Sequence, residues 1–396
     1  MRQWLRLLHR WLGLAALVFL ILAGATGSLL AFEHEIDEWL NPELLRADWT
    51  GPALNASELT ERIEAQDARL RVSLLPLNTL PGRAAEVQVQ ARSKEHVLGF
   101  DRLLVNPSTG VILGSRKWGA WVLGRAHLMP LVNRFHRSLT MPQRWGHWLM
   151  GSVALVWLLL SVAGVVLSLP VKPSAPKSVP SSFWRRWKPA WQIKRGAKGF
   201  RWMFDLHRAL GLWMLPLFVM LAFSGASLNL GNEIFKPVLA WFGSVSPHPV
   251  SSLPAHTTGA QPMAPSAAVQ KSREGLPLRA RSFEPWYISY MPQQGVYRVA
   301  FQEPGFREQL FRVRYEQVFI DAHTGLPKAL FGYDSGTRAD RFLVWQYPLH
   351  SGKALGLPGR IVVGLSGVLL VLMAIAGLQQ WRLRRRAANA ARQSLK

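Results

Sequence analysis

The chain has no cysteine in its 396 residues. This excludes disulfides, iron–sulfur clusters and thiolate metal sites, as well as covalent attachment of haem through a C-x-x-C-H motif. Charged residues are also few, at 18%, whereas hydrophobic residues reach 49%, which is unusual for a soluble domain. The excess comes from four apolar runs, each long enough to cross a bilayer. They lie at 11–32, 148–169, 209–230 and 360–381.

Several common catalytic motifs are missing as well. The sequence has no Walker A loop, no dinucleotide fingerprint after a strand, no H-E-x-x-H and no G-x-S-x-G. The classes of enzyme that depend on these motifs are therefore excluded. We expect the protein to bind no NAD(P)H of its own.

Acidic residues are almost absent from three segments, 1–12, 168–206 and 382–396, which together hold 18 basic residues and one acid. The stretches 33–135 and 233–357 are nearly balanced. Because basic loops stay in the cytoplasm, we expect both termini and the middle linker there, and both long loops outside. The net charge of +24 is also typical of proteins that bind nucleic acid, which is an alternative explanation of the basic segments. Since the charges flank apolar runs, topology explains them, and we expect a lipid bilayer and no nucleic acid as partner.

The chain repeats itself. Residues 8–14 have the sequence LHRWLGL, and 198 residues later 206–212 have LHRALGL. His9 and His207 thus occupy the same place, each just before an apolar run. Both halves are predicted to run span, external loop, span in one orientation, which makes a parallel repeat about an axis along the membrane normal.

Both loops are predicted to hold the same small α+β module. In the first, 56–66 is expected to form an amphipathic helix capped by Asn55 or Ser57. Alternating strands and an Asn-Pro-Ser-Thr-Gly turn follow. The second loop repeats this order between 265 and 332. The predicted fold is therefore a membrane α-helical protein with four transmembrane helices, a pseudo-twofold repeat and two α+β modules.

The expected divisions follow from the spans and the charge pattern. They are 1–33 (N-terminus and first span), 34–146 (first module), 147–169 (second span), 170–206 (basic cytoplasmic linker), 207–231 (third span), 232–357 (second module), 358–382 (fourth span) and 383–396 (basic cytoplasmic tail).

Four of the eleven histidines form two repeat-related pairs. His9 and His207 open spans one and three at the cytoplasmic face, and His136 and His350 precede spans two and four at the outer face. Two imidazoles from facing helices can hold a haem iron without an open coordination position, which suits electron transfer. The alternative is interfacial histidines at span ends, beside the tryptophans of an aromatic belt.

The remaining histidines have weaker support. His34 aligns with Asn232 and His147 with Arg360, so both are less favoured ligands. Five others lie in loops without repeat support and are expected to be ordinary loop residues: His96, His127, His248, His256 and His323.

These blocks resemble the PepSY-associated transmembrane family, within it the inner-membrane dihaem ferric-siderophore reductases of the FoxB type. The resemblance rests on LHRWLGL…GATGSLLAF, NPSTG, FHRSL…GHWLMG…SVAGVVL and their second copies, and covers nearly the whole chain. It implies a multi-pass protein of the bacterial inner membrane with two PepSY-like periplasmic modules. It also implies two non-covalent b-type haems, with His9 and His207 as ligands inside and His136 and His350 outside.

Three functions are weighed on this basis. The first is a ferric-siderophore reductase, which passes electrons from an unknown cytoplasmic donor to a periplasmic ferric siderophore. The second is a PepSY-type regulatory or anchoring protein that acts on a periplasmic peptidase without redox activity. The third is a permease, which the apparent absence of broken helices and of midspan polar residues disfavours. Trp118, Trp121 and the strand at 312–314 are weak candidates for substrate docking.

Overall fold

The computed structural model describes residues 1–49, 51–171, 182–254, 261–305 and 313–394. Over these ranges the chain forms fourteen α-helices and eight β-strands. The helices are α1 (Arg2–Leu30), α2 (Glu33–Leu40), α3 (Pro42–Leu45), α4 (Ala56–Gln66), α5 (Arg125–Ser138), α6 (Gln143–Ser168), α7 (Phe183–Trp187), α8 (Gly199–Trp213), α9 (Leu215–Asn229), α10 (Lys236–Ala240), α11 (Pro249–Ser252), α12 (Pro265–Ser272), α13 (Arg338–Ser351) and α14 (Gly356–Gln393). The strands are β1 (Leu70–Pro76), β2 (Ala85–Ala91), β3 (Arg102–Val105), β4 (Ile112–Arg116), β5 (Glu284–Met291), β6 (Val296–Gln302), β7 (Tyr315–Asp321) and β8 (Pro327–Gly332).

The long apolar helices make this a membrane protein. Within the described residues, α1, α6 and α14 are each long and apolar enough to cross a bilayer. Helices α8 and α9 pass the same test only as a pair, because they meet at an angle of 70°. The count is therefore three spans, or four if the bent pair is one span.

The bend corrects the expectation of unbroken helices. Pro216 lies at the start of α9. A proline has no N–H to offer the carbonyl four residues earlier, and its ring clashes with that carbonyl, so the helix is interrupted before it. The equivalent residue of the first repeat, Val18, lies inside the continuous α1. Since broken helices are typical of transporters, one of the two arguments against a permease is lost.

Two predicted boundaries also shift. Helix α8 begins at Gly199, inside the segment predicted as linker, and α14 continues to Gln393, through most of the predicted tail. The tail is rich in alanine and arginine, which favour helix, so the helix continues where the apolar run ends. Residues 172–181 of the linker lie outside the described residues, as do His256 and Arg312.

The two loops form one sheet. Its strand order is β4-β3-β2-β1-β5-β6-β7-β8, and all neighbouring strands are antiparallel. The halves join where β1 pairs with β5, with Leu75 opposite Ile288. The expectation of two small modules is thus corrected to two four-stranded halves of one continuous sheet. The pairing covers one edge of each half, and an uncovered edge is prone to aggregation.

A shared core and a symmetric contact hold the halves together. Buried side chains from both halves, including Ile63 and Val299, form one apolar cluster. Asn55 is the N-cap of helix α4, and its side chain accepts from the backbone N–H groups of Ser57 and Glu58. The backbone N–H of Ser57 donates to Ser266 Oγ, and that of Ser266 donates to Ser57 Oγ, both at 3.0 Å. These reciprocal bonds are consistent with a pseudo-twofold relation between the halves.

A second apolar cluster fills the membrane bundle. It includes Leu20 of α1, Trp157 of α6, Phe218 of α9 and Leu370 of α14. The rings of Trp157 and Phe218 have centroids 5.5 Å apart. Along α1 this layer lies between His9 and Thr26, which are about 25 Å apart at 1.5 Å per residue. It separates the two histidine pairs described next.

Candidate functional site

The inner pair joins the two helices that carry the repeated motif. His9 lies in the first third of α1, and His207 lies near the middle of α8. Their ring centroids are 6.2 Å apart and their planes are at 86°. The structure therefore brings together two residues that are 198 positions apart in the sequence.

The outer pair has the same spacing. His136 lies on α5 and His350 on α13, and their ring centroids are also 6.2 Å apart, with planes at 52°. Both helices are separate from the spans that follow them. Each ends at a residue in the left-handed conformation, Leu139 (φ 50°) and Gly352 (φ 75°). The chain can then turn sharply into the next span.

A glycine lies against each of the four rings. A Cβ atom on Gly27 would come within 3.2 Å of His136 Cε1, and one on Gly225 within 3.1 Å of His350 Cε1. At the inner pair, a Cβ on Gly377 would be 3.2 Å from His207 Cε1. Gly164 is 3.6 Å from His9 Cε1 on the same measure. These glycines occupy matched positions in the two repeats. Each half therefore provides the same close approach of a glycine to each of its two histidine rings.

Hydrogen bonds determine which ring nitrogen carries the proton in three of the four histidines. His207 Nδ1 lies 2.9 Å from the carbonyl oxygen of Met373. A carbonyl can only accept, so Nδ1 carries the hydrogen and Nε2 keeps its lone pair. His136 Nδ1 lies 2.8 Å from Thr26 Oγ1, and His350 Nδ1 lies 2.9 Å from Ser224 Oγ.

Both hydroxyls act as acceptors toward the outer histidines. Thr26 Oγ1 donates to the carbonyl of Leu22 at 2.6 Å, and Ser224 Oγ donates to that of Met220 at 2.7 Å. A hydroxyl has one hydrogen, so each oxygen must accept from the histidine. This arrangement favours the Nδ1–H tautomer of His136 and of His350, with Nε2 left to bind.

Burial favours the neutral form of both outer histidines. Desolvation, together with the nearby His350, lowers the pKa of His136 to about 3. Desolvation lowers the pKa of His350 to about 4. The neutral imidazole is the form that binds a metal through its unprotonated nitrogen.

The spacing within each pair leaves room for a metal ion between the two rings. With metal–nitrogen bonds of about 2 Å, two imidazoles that held one metal ion between them would have ring centres roughly 6 Å apart. Both pairs show 6.2 Å. Among the described residues, no group of three or more His, Cys, Asp and Glu could hold a metal ion. A metal at either pair would thus need its other ligands from a bound group such as a macrocycle.

Neither of the less favoured histidines stands in such a pair within the described residues. His147 Nδ1 lies 2.7 Å from Asn229 Oδ1, and His34 is exposed on α2. Trp11 on α1 and Trp213 at the end of α8 are 57% and 67% exposed. Such rings fit both a macrocycle wall and an aromatic belt, so they do not discriminate between the two interpretations.

Arg360, the repeat equivalent of His147, indicates the role of the contact between His147 and Asn229. Arg360 is 2% exposed. Its Nε donates to the carbonyl of Ala31 at 2.7 Å, and its Nη2 donates to Glu35 at 2.5 Å. Asn229 is the repeat equivalent of Ala31. Arg360 and His147 therefore make equivalent ties, α14 to α1 and α6 to α9.

Trp118, Trp121 and Arg314 are weak docking candidates that lie within the described residues. Arg314 forms ion pairs with Asp334 and Glu303, which is a structural role. Trp121 is 69% exposed, and the backbone N–H of Trp118 donates to Asp101. The contacts of these residues assign them no ligand.

Sequence reasoning missed the two hydroxyls. Thr26 and Ser224 are separated by the repeat offset of 198 residues, and each precedes a glycine that faces a histidine. The signal was a pair of small polar residues at matched positions in apolar runs. Without the fold, such residues are indistinguishable from others that bond to their own helix.

A family model described as "PepSY-associated TM region" matches residues 6–384. The match includes all four paired histidines and the sheet. No curated protein matches the sequence.

Proposed function

The chain belongs to the PepSY-associated TM family, and from that membership and the two histidine pairs we propose that it is a b-type dihaem protein of the bacterial inner membrane. It passes electrons from the cytoplasmic side to a periplasmic ferric siderophore and reduces Fe(III) to Fe(II). The donor is a cytoplasmic reductant of unknown identity.

One observation carries the proposal. Two histidine pairs, each with ring centroids 6.2 Å apart, lie at opposite ends of one helix bundle. A haem iron with two imidazole ligands has no open position and exchanges single electrons. Span-end histidines of an aromatic belt have no need to face one another in pairs, and no need of a matched glycine behind each ring.

The residues of the chain have separate tasks. His9 and His207 are the ligands of the inner haem, and His136 and His350 are the ligands of the outer haem. The apolar layer around Trp157 and Phe218 keeps water out of the roughly 30 Å core. Each site therefore exchanges electrons with its own side of the membrane.

The substrate chemistry supports reduction as a release step. Fe(III) is the harder ion and is held by the oxygen atoms of hydroxamates or catecholates. One added electron gives Fe(II), which these oxygens hold less tightly. In this proposal the bent pair α8–α9 is one of four spans, and the sheet consists of two PepSY-like halves in the periplasm.

Purified protein is expected to show a b-type haem spectrum with a sharp reduced α band and to yield two haems per chain on extraction. The reason is the presence of two separate ligand pairs in a chain without cysteine. The measurement is a pyridine haemochrome assay on protein from haem-replete cells. A colourless preparation would contradict the proposal and favour the regulatory or anchoring protein of the PepSY type.

Reporter fusions are expected to place the basic segments in the cytoplasm. Fusions after Lys188 and at the C-terminus should report cytoplasm, and fusions at Ser93 and Gln294 should report periplasm. The reason is the 18 basic residues against one acid on the proposed inner segments. Paired phosphatase and fluorescent-protein reporters at each position measure this. A periplasmic signal after Lys188 would overturn the topology.

A further inference from the structure

We propose that Thr26 and Ser224 are positioning residues for the outer histidine pair. Their hydroxyl oxygens hold His136 and His350 as Nδ1–H tautomers and fix the orientation of each ring. This inference rests on the proposed ligand role of the pair, and it adds two residues that neither the family match nor the sequence pattern assigns.

The first step is the direction of the hydrogen bonds. Each hydroxyl donates to the carbonyl four residues earlier in its own helix, Leu22 for Thr26 and Met220 for Ser224. The hydrogen is thereby committed, and the oxygen can only accept from the imidazole. A helical carbonyl keeps each hydroxyl in one rotamer, so the oxygen is a fixed point for the ring.

The second step is the residue that follows. Gly27 and Gly225 lie against the Cε1 atoms of His136 and His350, where a Cβ would be only 3.2 and 3.1 Å away. In each half, the hydroxyl thus contacts the Nδ1 edge of the ring, and the glycine that follows it leaves space for the Cε1 atom. We call this hydroxyl and glycine a two-residue seat. The same two-residue seat occurs 198 residues apart, on α1 and on α9.

The third step is the effect on the metal side of the ring. An imidazole that donates through Nδ1 gains basicity at Nε2, and a more basic ligand stabilises the more highly charged ferric state. The two hydroxyls therefore lower the reduction potential of the outer site. The inner pair provides an internal reference, since His207 donates to the carbonyl of Met373 and touches neither hydroxyl.

The test uses the full chain in detergent. Thr26→Val keeps the shape of the side chain and removes the acceptor, and Ser224→Ala does the same in the other half. We expect the midpoint potential of the outer haem to rise in each variant, with about 10-fold weaker haem retention, while the inner haem is unchanged. Thr26→Ser and Ser224→Thr keep the hydroxyl, so each of these variants should retain the wild-type potential.

Ser28→Ala is the matched control. Ser28 also lies on α1, and its hydroxyl lies within hydrogen-bond distance of the carbonyl oxygens of Gly24 and Gly364, with no histidine among these partners. A merely structural loss of a hydroxyl should therefore leave both potentials in place. An equal shift in Ser28→Ala and Thr26→Val would overturn the positioning role.

A second measurement separates this inference from the proposed function. In haem-free protein labelled with ¹⁵N-histidine, NMR should show His136 and His350 as Nδ1–H tautomers, and Thr26→Val should remove this preference for His136 alone. If the tautomers respond in this way but wild-type protein never binds haem, the positioning stands and the proposed function fails. If haem binds and neither the potential nor the tautomer responds, the positioning is wrong.

Discussion

Replacing His207 by alanine is expected to remove one of the two haems and to leave the other in place. The loss of one axial imidazole opens a coordination position and weakens retention of the group, whereas the outer pair keeps both of its rings. His9→Ala should give the same result, and His136→Ala or His350→Ala should remove the opposite haem. The haem content per chain should fall from two to about one in each case. It is measured on purified variants together with their low-spin spectra.

His147→Ala and His34→Ala are the matched controls. His147 bonds to Asn229, and His34 is exposed on α2, so both variants should retain two haems. The double variant His9→Ala/His136→Ala should retain none, since the two sites lie at opposite ends of the bundle. If His147→Ala strips a haem while His136→Ala does not, the outer ligand assignment is wrong.

The family and the histidine pairs were predictable because both halves of the sequence carry the same motif around a histidine. His9 and His207 share a seven-residue motif, and a residue that recurs in one place of each half is related by the pseudo-twofold axis. The prediction that such residues meet across that axis required no side-chain detail. The family match over residues 6–384 confirms the suspected family, while the haem ligands stay a prediction.

The joining of the two loops could not be read from either loop alone. The alternation in 85–92 and 286–292 predicts strands, yet it does not say which strand lies beside which, and β1, the strand that joins the halves, is not among the predicted strands. The pairing of Leu75 with Ile288 depends on how the membrane helices place the ends of both loops. Local patterns predict elements well, whereas contacts between elements far apart in sequence depend on the whole fold.

The bend between α8 and α9 has a signal in the sequence. Pro216 lies inside an apolar run, where hydropathy alone indicates a continuous span. A proline tolerated within a span interrupts the hydrogen bonds of the helix, and here the angle reaches 70°. The first repeat has Val18 at that place, inside the uninterrupted helix α1, so the break lies in the half that carries the proline.

Chemically reduced protein, kept free of oxygen in detergent, is expected to be reoxidised by a ferric hydroxamate siderophore, and the Fe(II) formed should be captured by ferrozine. The outer pair is the site nearest the periplasm in the proposed topology, so a chelate there needs no path through the bilayer. The rate is followed from the loss of the reduced α band, and a gallium complex of the same siderophore, which cannot be reduced, is the control.

The inner-ligand variant distinguishes a conduit across the membrane from a reductase that works on one face. His207→Ala should still be reoxidised when a soluble reductant loads the outer site directly. In cells it should fail to release iron from the siderophore, because the donor lies on the cytoplasmic side and the apolar layer of Leu20, Trp157 and Phe218 leaves no other route. Release of iron in cells at the wild-type rate would show that the inner pair is dispensable. If reduced wild-type protein stays reduced with several ferric siderophores, the conduit must serve a different acceptor.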